Sequence, residues 1–161
     1  MQNRKRIILV GTNDLVPQDF LKKILEKYPL AYLDEHPDCD TFYKLAKNRN
    51  DLTKSQDETL ILVHSPNKPG ATEEQISELS NCIIFKTVPK VMLLQNPHND
   101  VIKYCYNNHV SGVVLLDGNE TNLTASLHNI FNFWLNIATL PKNMYAVADK
   151  QSVDNLSIEG E

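Results

Sequence analysis

The chain has 161 residues, of which 42% are hydrophobic and 22% are charged, and its formal net charge is −4. A chain of this size and composition can bury a core as one domain without disulfides or metal, and its 3 cysteines form neither a CxxC pair nor an even-numbered framework. The acidic balance argues against nucleic-acid binding by this chain itself, because phosphate binding favours a basic surface.

The amino terminus is basic but lacks a signal-peptide core. After residues 1–6 the apolar run is short and ends at Gly11. No apolar run in the sequence approaches the roughly 20 residues that a membrane span requires. We therefore expect a cytoplasmic protein with no membrane partner.

Short runs rich in β-branched residues alternate along the chain with longer segments of helical period. The predicted strands are residues 6–10, 30–33, 59–63, 90–94 and 113–116, and helices are predicted after each of them, the last running from 120 to 137. Strands that are almost wholly apolar are typical of a parallel sheet covered on both faces. This order predicts an α/β fold with a five-stranded, doubly wound parallel sheet of order 2-1-3-4-5, as in flavodoxin-like proteins.

Two local signals set boundaries within this pattern. Thr72 and Gln75 have the spacing of a capping box, which predicts Thr72 as the N-cap of the third helix. After Pro141 the alternation ends and the sequence becomes polar. We therefore predict one domain over residues 1–141 and a linker or tail over residues 142–161.

The region around the fifth strand carries a family resemblance. Residues 108–127 read N-H-V-S-G-V-V-L-L-D-G-N-E-T-N-L-T-A-S-L. They resemble the fifth strand and helix of LuxR-type response-regulator receivers, A-G-A-S-G-Y-L-L-K-D-x-x-x-x-E-L-x-x-A-I, and the earlier strands fall where receiver strands belong. The resemblance covers most of residues 5–140 and implies a receiver-like (CheY-like) domain of a bacterial response regulator.

The chemistry of such a receiver requires five groups at the strand ends. An acidic pair and an acceptor aspartate hold Mg²⁺ and take the phosphoryl group, and a Ser/Thr and a Lys then bind it. The resemblance places these groups on Gly11 and Thr12, on Val63 or His64, on Gln95 and on Leu116. None of these residues matches the family pattern, so the resemblance implies a degenerate phosphorylation pocket with no catalysis, metal or cofactor.

Other chemistry in this region has weaker signals. The turn after Gly11 could begin a phosphate-binding loop, but the sequence has neither a G-x-G-x-x-G motif nor a Walker lysine. His64 could accept a phosphoryl group, although a lone histidine at a strand end is more often a surface or hydrogen-bonded residue.

The last helix supplies a second candidate site. Phe131, Trp134, Leu135 and Asn136 are candidate interface or ligand residues, with core packing as the alternative. In some degenerate receivers a W-[FLM]-[TS]-R motif after this helix binds cyclic di-GMP. Here Asn136 and Ile137 replace the hydroxyl residue and the arginine, which removes the group that would pair with phosphate.

These observations favour a pseudo-receiver that regulates without aspartyl phosphorylation. The family's habit implies a homodimer through helices 4 and 5, with DNA bound only by a domain that this chain does not contain. Residues 156–161 resemble the start of a LuxR-type helix-turn-helix, and an unstructured acidic tail is the alternative. A stand-alone interaction adaptor, and a small-ligand sensor at the carboxyl edge of the sheet, remain alternative functions.

Overall fold

The computed structural model describes residues 4–11, 18–48, 57–81 and 86–140. The predicted linker or tail over residues 142–161 lies outside the described residues. The strands are β1 (Lys5–Val10), β2 (Ala31–His36), β3 (Glu58–His64), β4 (Lys90–Gln95) and β5 (Gly112–Leu116). The helices are α1 (Gln18–Leu25), α2 (Cys39–Asn48), α3 (Ala71–Ser80), α4 (Asn99–Asn107) and α5 (Glu120–Phe131), which continues into a π-helical segment, Asn132–Ile137.

The strands form one parallel sheet of order β2-β1-β3-β4-β5, which confirms the predicted fold. Val10 at the end of β1 is in register with His36 on one side and Val63 on the other. Gln95 and Leu116 pair at the ends of β4 and β5. The carboxyl ends of the five strands therefore meet at one edge of the sheet.

Two hydrophobic clusters cover the two faces of the sheet. Successive strand residues point to opposite faces, so Ile8 and Val10 belong to one cluster and Ile7 and Leu9 to the other. The first cluster packs against α2, α3 and α4, and the second against α1, α5 and the π-helical segment. Burial on both faces is the reason that the central strands are continuous apolar runs.

Strand β2 is longer than its apolar run predicts. It extends through Asp34 and Glu35 to His36, whereas the prediction ended at Leu33. The strand lies at the sheet's edge, where polar side chains are tolerated, and Asp34 accepts a hydrogen bond from Arg6 Nε on β1 at 2.8 Å. An ion pair across two strands thus supports the extra residues.

The predicted capping box on α3 is wrong. Gly70, with φ +78°, is the N-cap, and no side chain caps this terminus. Thr72 lies inside the helix and is buried, with its hydroxyl oxygen 2.6 Å from Ser65 Oγ. Gln75 turns back to donate to the His64 carbonyl at 3.2 Å. Gln75 therefore connects α3 to the last residue of β3, and Thr72 connects it to the loop that follows, instead of capping the helix.

The last helix is not α-helical over its full predicted length. The α-helix ends at Phe131, and the Ala138 N–H donates to the Phe133 carbonyl at 2.6 Å, five residues back, as in a π-helix. The Lys5 ammonium donates to the Leu135 carbonyl within this segment. Among the residues described, no helix has the length and apolar character to cross a membrane.

Candidate functional site at the carboxyl edge of the sheet

The parallel sheet brings most of the predicted pocket residues to one edge. Gly11 follows β1, His64 ends β3, and Gln95 and Leu116 end β4 and β5 as register partners. Thr12 lies outside the described residues. Ligands of doubly wound sheets bind at this edge, so the position of these residues is the one that the fold makes available for function.

Gly11 is held in tight backbone contact with its neighbours. Its N–H donates to the His36 carbonyl at 2.9 Å, and its φ is +96°. A Cβ built on Gly11 would lie 2.5 Å from the His64 carbonyl oxygen. Both the left-handed backbone and the close carbonyl oppose any side chain here. The position where the family places an acidic residue therefore does not accommodate one without a shift of the backbone.

His64 is enclosed by the structure. Its residue surface is 2% exposed, and its carbonyl accepts the hydrogen bond from Gln75. The next residue, Ser65, donates its N–H to the Leu93 carbonyl at 3.1 Å, which continues the β3–β4 pairing past the strand end. Val63, the alternative position for the acceptor, is wholly buried in the core. A side chain at either position is shielded from solvent.

A small cavity lies beside this edge, between the β3–α3 and β4–α4 loops. Its volume is about 190 Å³, and Ser65, Thr72, Gln95, Lys68 and His98 are among the residues that line it. The hydroxyls of Ser65 and Thr72 are hydrogen bonded to each other. Among the predicted pocket residues that the structure describes, Gln95 lines this cavity, whereas Gly11, His64 and Leu116 do not.

Leu116 is directed into the core instead. It is 2% exposed and belongs to the cluster between the sheet and α1 and α5, together with Leu9 and Leu93. It does not line the carboxyl-edge cavity. At this position the structure presents an apolar side chain under the helices, where the family presents an ammonium to the phosphoryl group.

Asp117 follows Leu116 and stabilises the turn before α5, a role that the sequence pattern did not lead us to predict. Its carboxylate accepts hydrogen bonds from the Asn119 N–H at 2.8 Å and from Asn122 Nδ2 at 2.9 Å. The hydrogen bonds from Asn122 and Asn119 hold the pKa of Asp117 below its usual range. The D-x-N-x-x-N spacing was the available signal for this turn at the start of α5.

The described residues contain no group of three or more His, Cys, Asp or Glu side chains that could hold a metal ion. Thr12, Asn13 and Asp14, the polar residues at and beside the family's acidic pair, lie outside the described residues. The part of the edge formed by β2, β3, β4 and β5 therefore supplies no metal centre by itself.

The candidate residues of the last helix divide into two groups. Phe131 and Leu135 are 0% and 2% exposed and belong to the core cluster, so the core-packing alternative holds for them and they cannot contact a partner directly. Trp134 is half-buried and stacks edge to face on Phe133 at 4.9 Å. Asn136 is exposed and donates to Asn132 Oδ1 at 3.1 Å.

The exposed hydrophobic surface lies on residues that the sequence analysis did not select for a site. Among the described residues, the exposed large hydrophobics are Tyr106 on α4, Leu115 on β5, and Phe133 and Ile137 on the π-helical segment. We call these four residues the apolar set. Phe133 and Ile137 lie beyond Phe131, where the α-helix gives way to the π-helical segment, and this change of helix type has no signature in the apolar spacing.

Comparisons with known proteins place this fold among solved structures. No family model matches the chain, and no curated protein matches it. The phosphorylated cyanobacterial phytochrome response regulator RcpA is 24% identical, with a TM-score of 0.65 over 86% of this chain and 99% of that one. The Mn²⁺-bound response regulator Rcp1 is 21% identical, with a TM-score of 0.66 over 85% of this chain and 99% of that one.

A third neighbour is a response regulator receiver domain from Rhodospirillum rubrum. It is 12% identical, with a TM-score of 0.68 over 85% of this chain and 97% of the neighbour. Almost the whole of each neighbour is covered, and each is itself a response regulator or its receiver domain. Together with the strand order β2-β1-β3-β4-β5, these matches show that the chain has the fold of CheY-like response-regulator receiver domains.

Proposed function

We propose that this chain is a pseudo-receiver, a non-catalytic signalling module of a response regulator that acts without aspartyl phosphorylation. The observation that carries the proposal is the contact between the Gly11 backbone and the His64 carbonyl. The family resemblance places an acidic residue at Gly11 and the acceptor aspartate at Val63 or His64. Here a Cβ on Gly11 would lie 2.5 Å from the His64 carbonyl oxygen and 3.4 Å from His64 Cβ, which leaves no room for a larger side chain at Gly11.

The residues that would read a phosphoryl group also support the proposal. A receiver changes state when the new charge attracts a hydroxyl and an ammonium through charge-assisted hydrogen bonds. Gln95 offers a neutral amide in the place of the hydroxyl, and Leu116 is apolar and buried in the place of the ammonium. A phosphoryl group at this edge would therefore gain little of the stabilisation that drives the switch.

Treatment with acetyl phosphate and Mg²⁺ tests the absence of phosphorylation. Intact-mass measurement should show no stoichiometric phosphorylated species of the wild-type chain. The matched variant restores the family residues with Thr12→Asp, His64→Asp, Gln95→Thr and Leu116→Lys, and Val63→Asp replaces His64→Asp in a second version. Gly11 is left unchanged because of its backbone conformation. A wild-type chain that gains one phosphoryl group under these conditions contradicts the proposal.

We further propose that the module acts through self-association on the face formed by α4, β5 and the last helix. All four residues of the apolar set belong to these elements. Large apolar side chains that stay exposed on these elements are candidate anchors for a partner. In a longer protein this homodimer would position a DNA-binding domain, and in a stand-alone adaptor the same face would bind a different protein.

Phe133→Ala and Leu115→Ala test this face. Because interface aromatics typically contribute about 2 kcal/mol, Phe133→Ala should weaken dimerisation roughly thirtyfold in sedimentation equilibrium, without loss of fold. Trp134 is less suitable because it packs partly against the core cluster. Ser77→Ala, an exposed change on α3, is the control and should leave the dimer intact. A wild type that stays monomeric at high concentration, or an equal effect of the control, would refute the interface.

A further inference from the structure

The cavity between the β3–α3 and β4–α4 loops has a buried floor and an exposed mouth. Ser65, Thr72 and Leu94 are buried and form the floor, whereas Lys68 and His98 are exposed at the mouth. The cavity shares only Gln95 with the described residues of the predicted phosphorylation pocket, so it lies beside that pocket. Its volume of about 190 Å³ is below the roughly 300–1,000 Å³ of sites for drug-sized molecules, which restricts it to a smaller ligand.

Glu73 supplies a buried acceptor on the wall of this cavity. Its Oε2 atom is buried and accepts no hydrogen bond from any residue that the structure describes. Glu73 is also the only carboxylate among the described residues that line the cavity. A buried polar atom without a partner costs free energy, and a charged one costs more. A ligand that donates a hydrogen bond to Glu73 Oε2 would remove this cost.

The hydroxyls of Ser65 and Thr72 supply a buried donor to the same space. The two residues are 1% and 8% exposed, and their hydroxyl oxygens lie 2.6 Å apart, so one hydroxyl donates to the other. Each hydroxyl has a single proton, and the hydroxyl that accepts within this pair keeps its own proton for a further acceptor. Among the described residues, neither side chain makes a second hydrogen bond. The cavity therefore contains a donor and an acceptor that a ligand of matching polarity can satisfy together.

Positive charge lies opposite Glu73 in this cavity. The N-cap residues of α3 and α4, Gly70 and His98, both line it, and neither helix has a side-chain cap. The first N–H groups of a helix have no acceptor within the helix, and each N-terminus carries a partial charge of about +0.5. Lys68 adds an ammonium group at the mouth. The cavity thus has one acidic group on its wall and positive potential from two helix ends and a lysine.

Two simpler explanations account for part of this arrangement. An acidic residue in the first turn of a helix stabilises the helix dipole, but Glu74 of the same turn does so while it is exposed to solvent. The dipole therefore does not explain why the Glu73 carboxylate is partly buried. A water molecule can donate to Glu73 and accept from a hydroxyl, and this explanation is separated from a ligand by the experiment below.

We propose that this cavity binds a small zwitterion, an α-amino acid with a side chain about as small as that of alanine. Its ammonium group donates to Glu73 Oε2, and its carboxylate accepts from the Ser65–Thr72 pair in the positive potential of Lys68 and the two helix ends. The ligand bridges the β3–α3 and β4–α4 loops, and the second loop leads into α4, which carries Tyr106 of the apolar set. The site rests on the cavity and not on the proposed function, and it names a chemical input for a module that acts without phosphorylation.

Titration of the isotope-labelled full chain with L-alanine, propionate and ethylamine, followed by NMR, tests the proposal. Propionate is alanine without its ammonium group, and ethylamine is alanine without its carboxylate. L-alanine should bind at least about tenfold more tightly than either probe, because a hydrogen bond to a charged group typically contributes a factor of this size. The backbone signals that shift should belong to residues around the cavity, such as Asn67, Gln95 and Asn96.

Glu73→Gln keeps the size of the side chain and removes its charge. It should lower the affinity for L-alanine about tenfold and should not lower that for propionate, which has no group to pair with the Glu73 carboxylate. Glu74→Gln is the matched control, because Glu74 lies in the same helical turn but is exposed and does not line the cavity. If Glu73→Gln does not fold by circular dichroism, Lys68→Met takes its place and should weaken the binding of L-alanine and propionate but not that of ethylamine.

Three results would overturn the proposal. L-alanine causes no saturable shifts around the cavity, as expected if water alone occupies it; propionate or ethylamine binds as tightly as L-alanine; or the Glu73→Gln and Glu74→Gln variants bind L-alanine equally well. The phosphodonor experiment has a separate readout, the intact mass, so failure of the proposed function and failure of this site are distinguishable.

Discussion

The carboxyl and amino edges of the sheet use their polar groups in opposite ways. At the carboxyl edge several of these groups bond to one another: the Gly11 N–H to His36, Gln75 to the His64 carbonyl, and Ser65 to Thr72. Glu73 Oε2 and Gln75 Oε1 are buried there without a hydrogen-bond partner among the described residues. The cavity that remains there is about 190 Å³. At the amino edge a cavity of about 360 Å³ is bordered by two lysines and three buried apolar residues.

This contrast bears on how a fold changes its function. In doubly wound sheets the loops at the carboxyl edge ordinarily hold the ligand. When the residues for that chemistry are replaced, the edge gains stability if its polar groups pair with one another, because an unpaired buried polar group costs free energy. A pseudo-receiver of the kind proposed above would transmit its output elsewhere, and the apolar set offers one such place.

The largest expected effect concerns the close approach of Gly11 to His64 at the carboxyl edge. Gly11→Ala places a Cβ 2.5 Å from the His64 carbonyl oxygen on a backbone with φ +96°. Left-handed strain and overpacking together should lower the free energy of unfolding by about 3 kcal/mol or more, measured by urea denaturation. Gly70→Ala is the matched control, because Gly70 has φ +78° but no atom within 4 Å of the added Cβ.

The control should therefore lose only the backbone contribution, about 1–2 kcal/mol. The difference between the two variants isolates the contact with His64. Equal losses of unfolding free energy at the two glycines would show that Gly11 and His64 are not in tight contact.

The next expected effect concerns the amino edge and its pH dependence. Burial lowers the pKa of Lys90 below the ordinary 10.5, so the folded chain loses its proton from this amine at a lower pH than the unfolded chain does. The charge is therefore destabilising at neutral pH, and stability is regained as the pH rises through the folded pKa toward 10.5. Lys90→Met has no amine to titrate and should be as stable as the wild type or more stable at neutral pH.

Urea denaturation of both proteins from neutral pH to about 10.5 measures this difference. The free energy of unfolding of the wild type should rise relative to that of Lys90→Met over this window, which subtracts the titration of all other groups. A constant or falling difference would show that the amine is solvated in the folded chain.

The fold could be predicted from the sequence because its main determinants are local. The run Leu60–Val63 is apolar at every position, and β4 repeats this pattern, since each strand is covered on both faces. The length of β2 could not be predicted in this way. Its polar residue Asp34 belongs to a strand because of Arg6 on β1, and a pairing between two strands leaves no periodic signal.

The site was predictable only as a set of positions. The family resemblance located Gly11, His64, Gln95 and Leu116 at strand ends, and the sheet places them there. It could not show that Gly11 and His64 touch through their backbones, because that contact depends on the tertiary approach of two strands. The π-helical segment, which carries the exposed residues Phe133 and Ile137, was missed for a related reason, since a change in hydrogen bonding such as that of the Ala138 N–H to the Phe133 carbonyl leaves no signal in the sequence pattern.

The smallest expected effect returns to the carboxyl edge, where the helices begin. The Asn119 side chain accepts a hydrogen bond from the Asn122 N–H at 3.1 Å and caps α5, whereas His98 at the N-cap of α4 makes no such bond. Asn119→Ala should cost about 1 kcal/mol of unfolding free energy, and His98→Asp should gain up to about 1 kcal/mol, because the backbone at His98 is already extended and a carboxylate also interacts favourably with the helix dipole. Asn129→Ala, an exposed change inside α5, is the control and should stay within about 0.5 kcal/mol of the wild type. If His98→Asp stabilises the chain while Asn119→Ala matches the control, a side-chain cap stabilises α4 but not α5. The polar contacts that stabilise this edge would then be those of Gly11, His64 and Ser65.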